Sequence, residues 1–224
     1  PESKKVVMQL RSRYRVYHES EKDSSVMEYY LEGVRERFRK PNQWFLDRKE
    51  GILYYIPRNA AQNIFNIQVY APVTAVLFDI CGDENRHVKR FGFSNIDFCY
   101  TDGDYYRDKI ADSDDGKEKL QPKASDEQAA HLAPGAIRFE KADGCFIENC
   151  SFRNFGYYGV SVEEGCHNIR IWKNKFYDGG AGGIKINGAD GKGSLSEETY
   201  GINIADNEIA FCGRKYLAAC GILL

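Results

Sequence analysis

Residues 137–159 read IRFEKADGCFIENCSFRNFGYYG, and residues 160–183 read VSVEEGCHNIRIWKNKFYDGGAGG. Laid above one another, and above IKINGADG at 184–191, they begin strands 23 and 24 residues apart. Their landmarks return in order. Cys145/Ile147, Ile169/Ile171 and Ile202/Ile204 alternate, Cys150, Asn174 and Asn207 follow, and then come Phe152, Phe176 and Ile209. An earlier copy has Phe91/Phe93 and then Phe98. A self-similar period of this length marks a repeat fold, in which one short unit cannot bury its apolar face alone and stacking supplies the core. Each unit here holds a short alternating strand, a turn, two further short strands and a Gly-rich corner. That pattern predicts an all-β chain that forms a right-handed parallel β-helix from about Val69 onward, with repeats about 4.8 Å apart and equivalent side chains in ladders. Asn174 over Asn207 is expected to form an inward amide ladder at a turn. Gly156, Gly180 and Gly213 are expected at a corner that needs positive φ.

Two polar stretches interrupt the repeats, at about 101–132 and 188–200, and both read as surface insertions. The first contains DSDDGKEKLQPK, which has no apolar periodicity; long loops of this kind often carry function. Residues 1–68 have another texture. YRVYHE, QWFLDR and GILYYIPR are alternating, aromatic-rich segments with turn residues such as Lys49-Glu50-Gly51 between them, which predicts a small antiparallel β element ahead of the repeats at 69–224. VMEYYLEGVRERFRK, at 26–40, is read as holding a short helix.

With 31 basic and 33 acidic residues well mixed, there is no basic stripe to favour a nucleic acid. No apolar run approaches the roughly 20 residues that span a bilayer, and PESKKVVMQL at the start lacks the apolar core of a signal peptide. The seven cysteines have no paired CxxC spacing, so no zinc site is expected, and most are read as small thiols filling interior positions. The start at Pro1 and the apolar end Gly221-Ile222-Leu223-Leu224 read as those of a piece of a longer protein.

The succession QWFLDRKEGILYYIP, FSNIDF, QAAHLAPGAIRFEKADGCFIENCSF and FYDGGAGGIKI resembles right-handed β-helix proteins related to glycoside hydrolase family 141, of the pectate-lyase-like superfamily. The resemblance runs from about Met27 to Leu224. It implies a secreted or periplasmic polysaccharide-degrading enzyme, of α-L-fucosidase or xylanase type, with a polysaccharide or oligosaccharide as its partner. Segments like LSDMGG and IYLDEG, which carry that family's paired aspartates, do not occur here. No catalytic residue is therefore carried over, and the resemblance implies the N-terminal portion of such an enzyme.

The repeat register gives an independent set of candidates, because alternate strand residues face opposite sides. With Ile137/Phe139, Val160/Val162 and Ile184/Ile186 inward, one outward column is Arg138, Ser161, Lys185 and the next is Glu140, Glu163, Asn187. Glu140 and Glu163 would then lie about 5 Å apart, the spacing of a retaining glycosidase pair, and like charges at that distance raise one pKa, as a general acid requires. Arg138 and Lys185 would neutralise these glutamates on an ordinary charged surface. In a lyase they would instead bind uronate carboxylates, one basic side chain taking the proton in a β-elimination. A module that only binds glycans is the non-catalytic alternative.

His131 precedes the Pro134-Gly135 entry to a repeat and is placed to reach the face of Arg138 as an acid or base, or to serve as a surface hydrogen-bonding group. Asp178, ahead of GGAGG, is read as capping a turn or facing a cleft. Tyr157 and Tyr158, with Tyr105 and Tyr106 in the first insertion, offer rings for sugar stacking or for packing a corner. DSDDG at 112–116 falls short of a calcium-loop spacing, so no metal or cofactor is expected. His18, His87 and His167 have no partner evident in the sequence.

Overall fold

The computed structural model describes residues 33–103, 129–188 and 197–224. Its described residues fall into two units, one ending at Tyr70 and the other starting at Ala71. The chain is all-β, with parallel sheets and one antiparallel pair.

That pair, β1 (Trp44–Asp47) and β2 (Ile52–Tyr55), lies in the first unit and runs from Trp44 opposite Tyr55 to Asp47 opposite Ile52. Lys49-Glu50-Gly51 makes the turn. Asp47 Oδ1 accepts from the Lys49 and Glu50 N–H groups at 3.1 Å, and the Gly51 N–H donates to Asp47 O at 2.8 Å. Phe45 packs at a tilt against Phe38 and Tyr54. Of the segment 26–40, expected to hold a short helix, residues 26–32 lie outside the described residues and the remainder contains one 3-10 turn, Arg35–Arg37. YRVYHE lies outside the described residues.

In the second unit, β3 (Phe78–Cys81), β7 (Gly135–Glu140), β11 (Tyr158–Val162), β14 (Ile184–Ile186) and β17 (Ile222–Leu223) pair in that order in a first sheet. β5 (Gly92–Ser94), β9 (Phe146–Glu148), β12 (Arg170–Trp172) and β15 (Asn203–Ala205) form a second. A third holds β6 (Asp97–Cys99), β10 (Ser151–Arg153), β13 (Lys175–Tyr177) and β16 (Glu208–Ala210), and a short pair joins β4 (Val88–Lys89) to β8 (Ala142–Asp143). Every pairing in these sheets is parallel, and each strand lies beside its equivalent in the next repeat. Ile137 pairs Val160 and Val160 pairs Ile184, as the sequence alignment requires.

Between the sheets the chain turns through single left-handed residues that recur in columns. Arg90, Gly144, Asn168 and Gly201 precede the second sheet, Asn95, Asn149, Lys173 and Asp206 separate it from the third, and Tyr100, Asn154, Asp178 and Phe211 follow the third. One residue in that region bends the chain without a loop. Of the three corner glycines, only Gly213 has positive φ, at 75°. Gly156 and Gly180 serve close approach instead. A β carbon on Gly180 would sit 1.9 Å from Gly156 O, and one on Gly156 would sit 2.1 Å from Asp102 O.

The core lies between the sheets. Phe98, Phe152 and Phe176 stack with centroids 5.0 and 4.7 Å apart, and Ile147 and Ile171 form a parallel ladder beside them. Asn174 is fully buried. Its Nδ2 donates to Asn207 Oδ1 at 3.0 Å and to Ile147 O at 2.9 Å, and its Oδ1 accepts the Cys150 N–H at 2.9 Å, so the amide ladder satisfies backbone groups that the turn leaves unpaired. Stacking is what covers the inward positions. Phe78 on the outermost strand β3 is 44% exposed, whereas Ile137, next in its column, is fully buried.

Candidate functional site

The outward face of the first sheet carries the charged grid. The register sets Asp79, Arg138, Ser161 and Lys185 in one column. In the next column Glu140 lies opposite Cys81, and backbone bonds from Glu163 N to Phe139 O (2.8 Å) and from Asn187 N to Val162 O (2.7 Å) continue the ladder through Glu163 and Asn187. Glu140 and Glu163 are thus neighbours on adjacent repeats, each engaged by a cation. Arg138 pairs with Glu140 and donates to Asp79 Oδ1 at 2.8 Å. Burial alone would pull the Arg138 guanidinium down, but its bond to Asp79 and the charges of Asp79 and Glu163 outweigh that and hold its pKa above the ordinary value. Lys185 Nζ stands 3.3 Å from Glu163 Oε1, and Asn187 Nδ2 donates to Glu163 Oε2 at 3.1 Å.

Three candidates from the sequence are corrected by what lies over this face. Lys185 points outward, as the alternation requires, yet is 2% exposed, and its Nζ donates to His131 O at 2.9 Å. Residues 129–133 lie across β11 and β14: the Tyr158 hydroxyl donates to Ala129 O at 2.6 Å, and Ala129 bridges to Ala219. Tyr157 stacks on Tyr216 at 5.2 Å, and both tyrosines of the pair 157–158 belong to a second buried cluster with Ala75, Ala130, Ala133 and Ala181. Neither Tyr157 nor Tyr158 presents a ring to a sugar, and Lys185 cannot meet a uronate. Alternation determines which side a residue faces. A segment distant in sequence determines whether that side is wet.

His131 reaches the grid through its backbone carbonyl. Asp178 makes its turn by its backbone, at φ 55°, while its carboxylate pairs with Arg214 at 2.8 Å. Tyr105, Tyr106, DSDDG and His18 lie outside the described residues. Among the described residues no three of His, Cys, Asp and Glu converge as a metal site.

Cys145, Cys150 and Cys166 fill interior positions, but Cys81 and Cys220 are exposed and Cys99 and Cys212 half-buried, so fewer than half of the thiols are core groups. Burial pushes the pKa of Cys166 up to about 12 and raises those of Cys145 and Cys150 as well.

Two clusters escaped the sequence reading. On the outward face of the second sheet, the Arg170 guanidinium lies 5.7 Å from the centre of the Phe146 ring and 6.0 Å from that of Trp172, and pairs with Glu148. Lys173 Nζ lies 4.2 Å from the Trp172 ring, whose Nε1 donates to Asp206 Oδ2 at 2.8 Å. The signal was present, since Ile171 inward puts Arg170 and Trp172 outward. At a corner, His167 stacks on Tyr200 (4.2 Å), lies tilted against His87 (5.1 Å), and its Nε2 contacts Glu198 O at 3.1 Å. Tyr200 follows a long insertion, which hid this column from the repeat alignment. Comparison with protein-family models, with curated proteins and with solved structures finds no match to this chain.

Proposed function

We propose that this chain is a carbohydrate-active right-handed parallel β-helix, the N-terminal portion of a secreted or periplasmic polysaccharide-degrading glycoside hydrolase of α-L-fucosidase or xylanase type. The observation that carries the reading is the adjacency of Glu140 and Glu163 on one outward face, with Asp79, Arg138 and Asn187 around them. Such a face offers donors and acceptors to sugar hydroxyls, and a neighbouring carboxylate pair is the equipment of glycosidic cleavage. Parallel strands that return to the same sheet at each repeat support the β-helix, and the sequence resemblance supports the substrate class. Among the described residues no helix is long and apolar enough to cross a membrane.

A second reading, a β-helix module that binds glycans without cleaving them, is favoured by one specific observation: both carboxylates are already held by cations, Glu140 by Arg138 and Glu163 by Lys185. A carboxylate engaged by a cation of its own fold is occupied before any substrate arrives, whereas a binding face needs only its remaining donors and acceptors. A lyase is less well supported, because Lys185 is buried in its pair.

Incubation with pectic and xylan oligosaccharides separates the readings. Hydrolysis predicts release of reducing sugar or fucose, reduced roughly a hundredfold or more in Glu163→Gln. Retention of the oligosaccharides without release selects the binding module, and products absorbing in the ultraviolet select the lyase. The absence of release, of retention and of ultraviolet-absorbing products together would sink the carbohydrate reading.

A further inference from the structure

Asn187 is followed by Gly188, the one Asn-Gly pair in the chain. Strand β14 ends at Ile186, the Asn187 N–H makes its bond to Val162 O, and both Asn187 and Gly188 are exposed. An asparagine amide carbon and the next backbone nitrogen are placed by connectivity to close a five-membered ring. The main hindrance is the side chain of the following residue, which glycine lacks. Asparagine is among the thermolabile residues for this reason.

We propose that Asn187 is a site of spontaneous succinimide-mediated modification, with water as the co-reactant and Glu163 as the group that feels the change. The Gly188 nitrogen loses its proton and bonds to Asn187 Cγ, the Cγ–Nδ2 bond breaks, and ammonia leaves carrying that proton. Water then adds to either ring carbonyl and opens the ring. The product is aspartate or, with the backbone rerouted through the side chain, isoaspartate. Nothing is oxidised or reduced.

The fold makes the consequence specific. Asn187 Nδ2 is a donor to Glu163 Oε2 at 3.1 Å, and either product puts a carboxylate near that donor's place. Lys185, bound to the other oxygen of Glu163, then answers to two carboxylates. Thr199 Oγ1 donates to Glu163 O at 2.9 Å, and a β carbon on Gly188 would lie 3.2 Å from Thr199 Cβ, so the longer isoaspartyl backbone also disturbs Glu163 through Thr199. Glu163 meanwhile restrains the amide it would lose. The chemistry is independent of whether this face takes a glycan.

The test holds the wild-type protein in mildly alkaline buffer and follows it by peptide mapping that resolves isoaspartate from aspartate. The Asn187 peptide is expected to acquire the amide-to-acid mass change ahead of every other asparagine peptide. Gly188→Ala should slow the conversion several-fold, and Glu163→Ala should quicken it. Persistence of the Asn187 amide in the folded protein, after the denatured protein in the same buffer has converted, would overturn the proposal. So would equal rates in the wild type and Gly188→Ala.

Discussion

On β11, Val160 and Val162 point into the stack and Ser161 points out of it, yet all three are fully buried. On β7, one repeat earlier, Arg138 occupies the same outward column as Ser161 and keeps part of its side chain in water. From β7 to β11 the inside is therefore alike and the outside is not. Inward positions are covered by their equivalents in the repeats on either side, so coverage follows from the period itself. Outside, Tyr158 and Lys185 donate to backbone carbonyls of residues 129–133, and Ser161 Oγ accepts the Gly135 N–H at 3.1 Å. The same alternation builds both faces, but only the inner one carries its packing partners in the repeat.

The largest effect expected from this contrast belongs to the inside. Phe152 stacks between Phe98 and Phe176 with no exposure, so Phe152→Ala removes a ring that no neighbour can replace. A loss of about 3–5 kcal/mol is expected, read as a lower denaturant midpoint at unchanged slope. A loss under about 1 kcal/mol, the size of an ordinary surface change, would mean that the ring column is not a close-packed interior.

How much of this was legible in the sequence follows the same division. The strand period, the inward residues and the Asn174–Asn207 ladder could be read because each residue predicts its partner one repeat away. The columns of left-handed corners were partly legible, through the asparagines and glycines that tolerate that conformation, but Lys173, Tyr100 and Phe211 occupy the same positions without announcing it. The pairing of Glu140 with Glu163 was legible from register. The burial of Lys185, Tyr157 and Tyr158 was not, because it depends on contacts with Ala129, His131 and Tyr216, whose separations match no period. Trp172 was legible as well: it stands two residues from Arg170 on a strand whose Ile171 faces inward.

The covered part of the outside is broken more gently. Lys185→Met keeps the length of the side chain but leaves Glu163, whose side chain is 13% exposed, without its cation. Breaking a buried pair from one side costs about 3–5 kcal/mol when burial is complete; with Glu163 still touching water and bonded to Asn187, about 2–3 kcal/mol is expected. The double variant Lys185→Met with Glu163→Gln removes both charges and should regain most of that loss, since an uncompensated charge is what makes the single change costly. Additive losses in the double variant would show that Lys185 contributes by tying down residues 129–133 through His131 O rather than by its charge. The outward face would then be held by side-chain hydrogen bonds to the backbone of residues 129–133.

The smallest effect returns to the inside and depends on pH. Cys166 is fully buried in the core, and burial lifts its thiol from an ordinary value of 9.0 to about 12. A group whose folded pKa is raised contributes stability in full below the unfolded pKa and loses it as pH rises toward the folded one. Cys166 therefore stabilises through neutral pH and begins to lose that contribution above about pH 9, by about 1 kcal/mol at about pH 10. Other groups titrate in the same range, so the quantity to follow is the stability of the wild type minus that of Cys166→Ala. That difference should be constant from neutral pH to about 9 and narrow above it. A difference that stays flat would place the thiol in contact with water or a charge, which the ladder around it does not allow. Thiol reagents offer a check: Cys81 and Cys220, exposed on the outside, should react in the native protein, and Cys166 only once the repeats have separated.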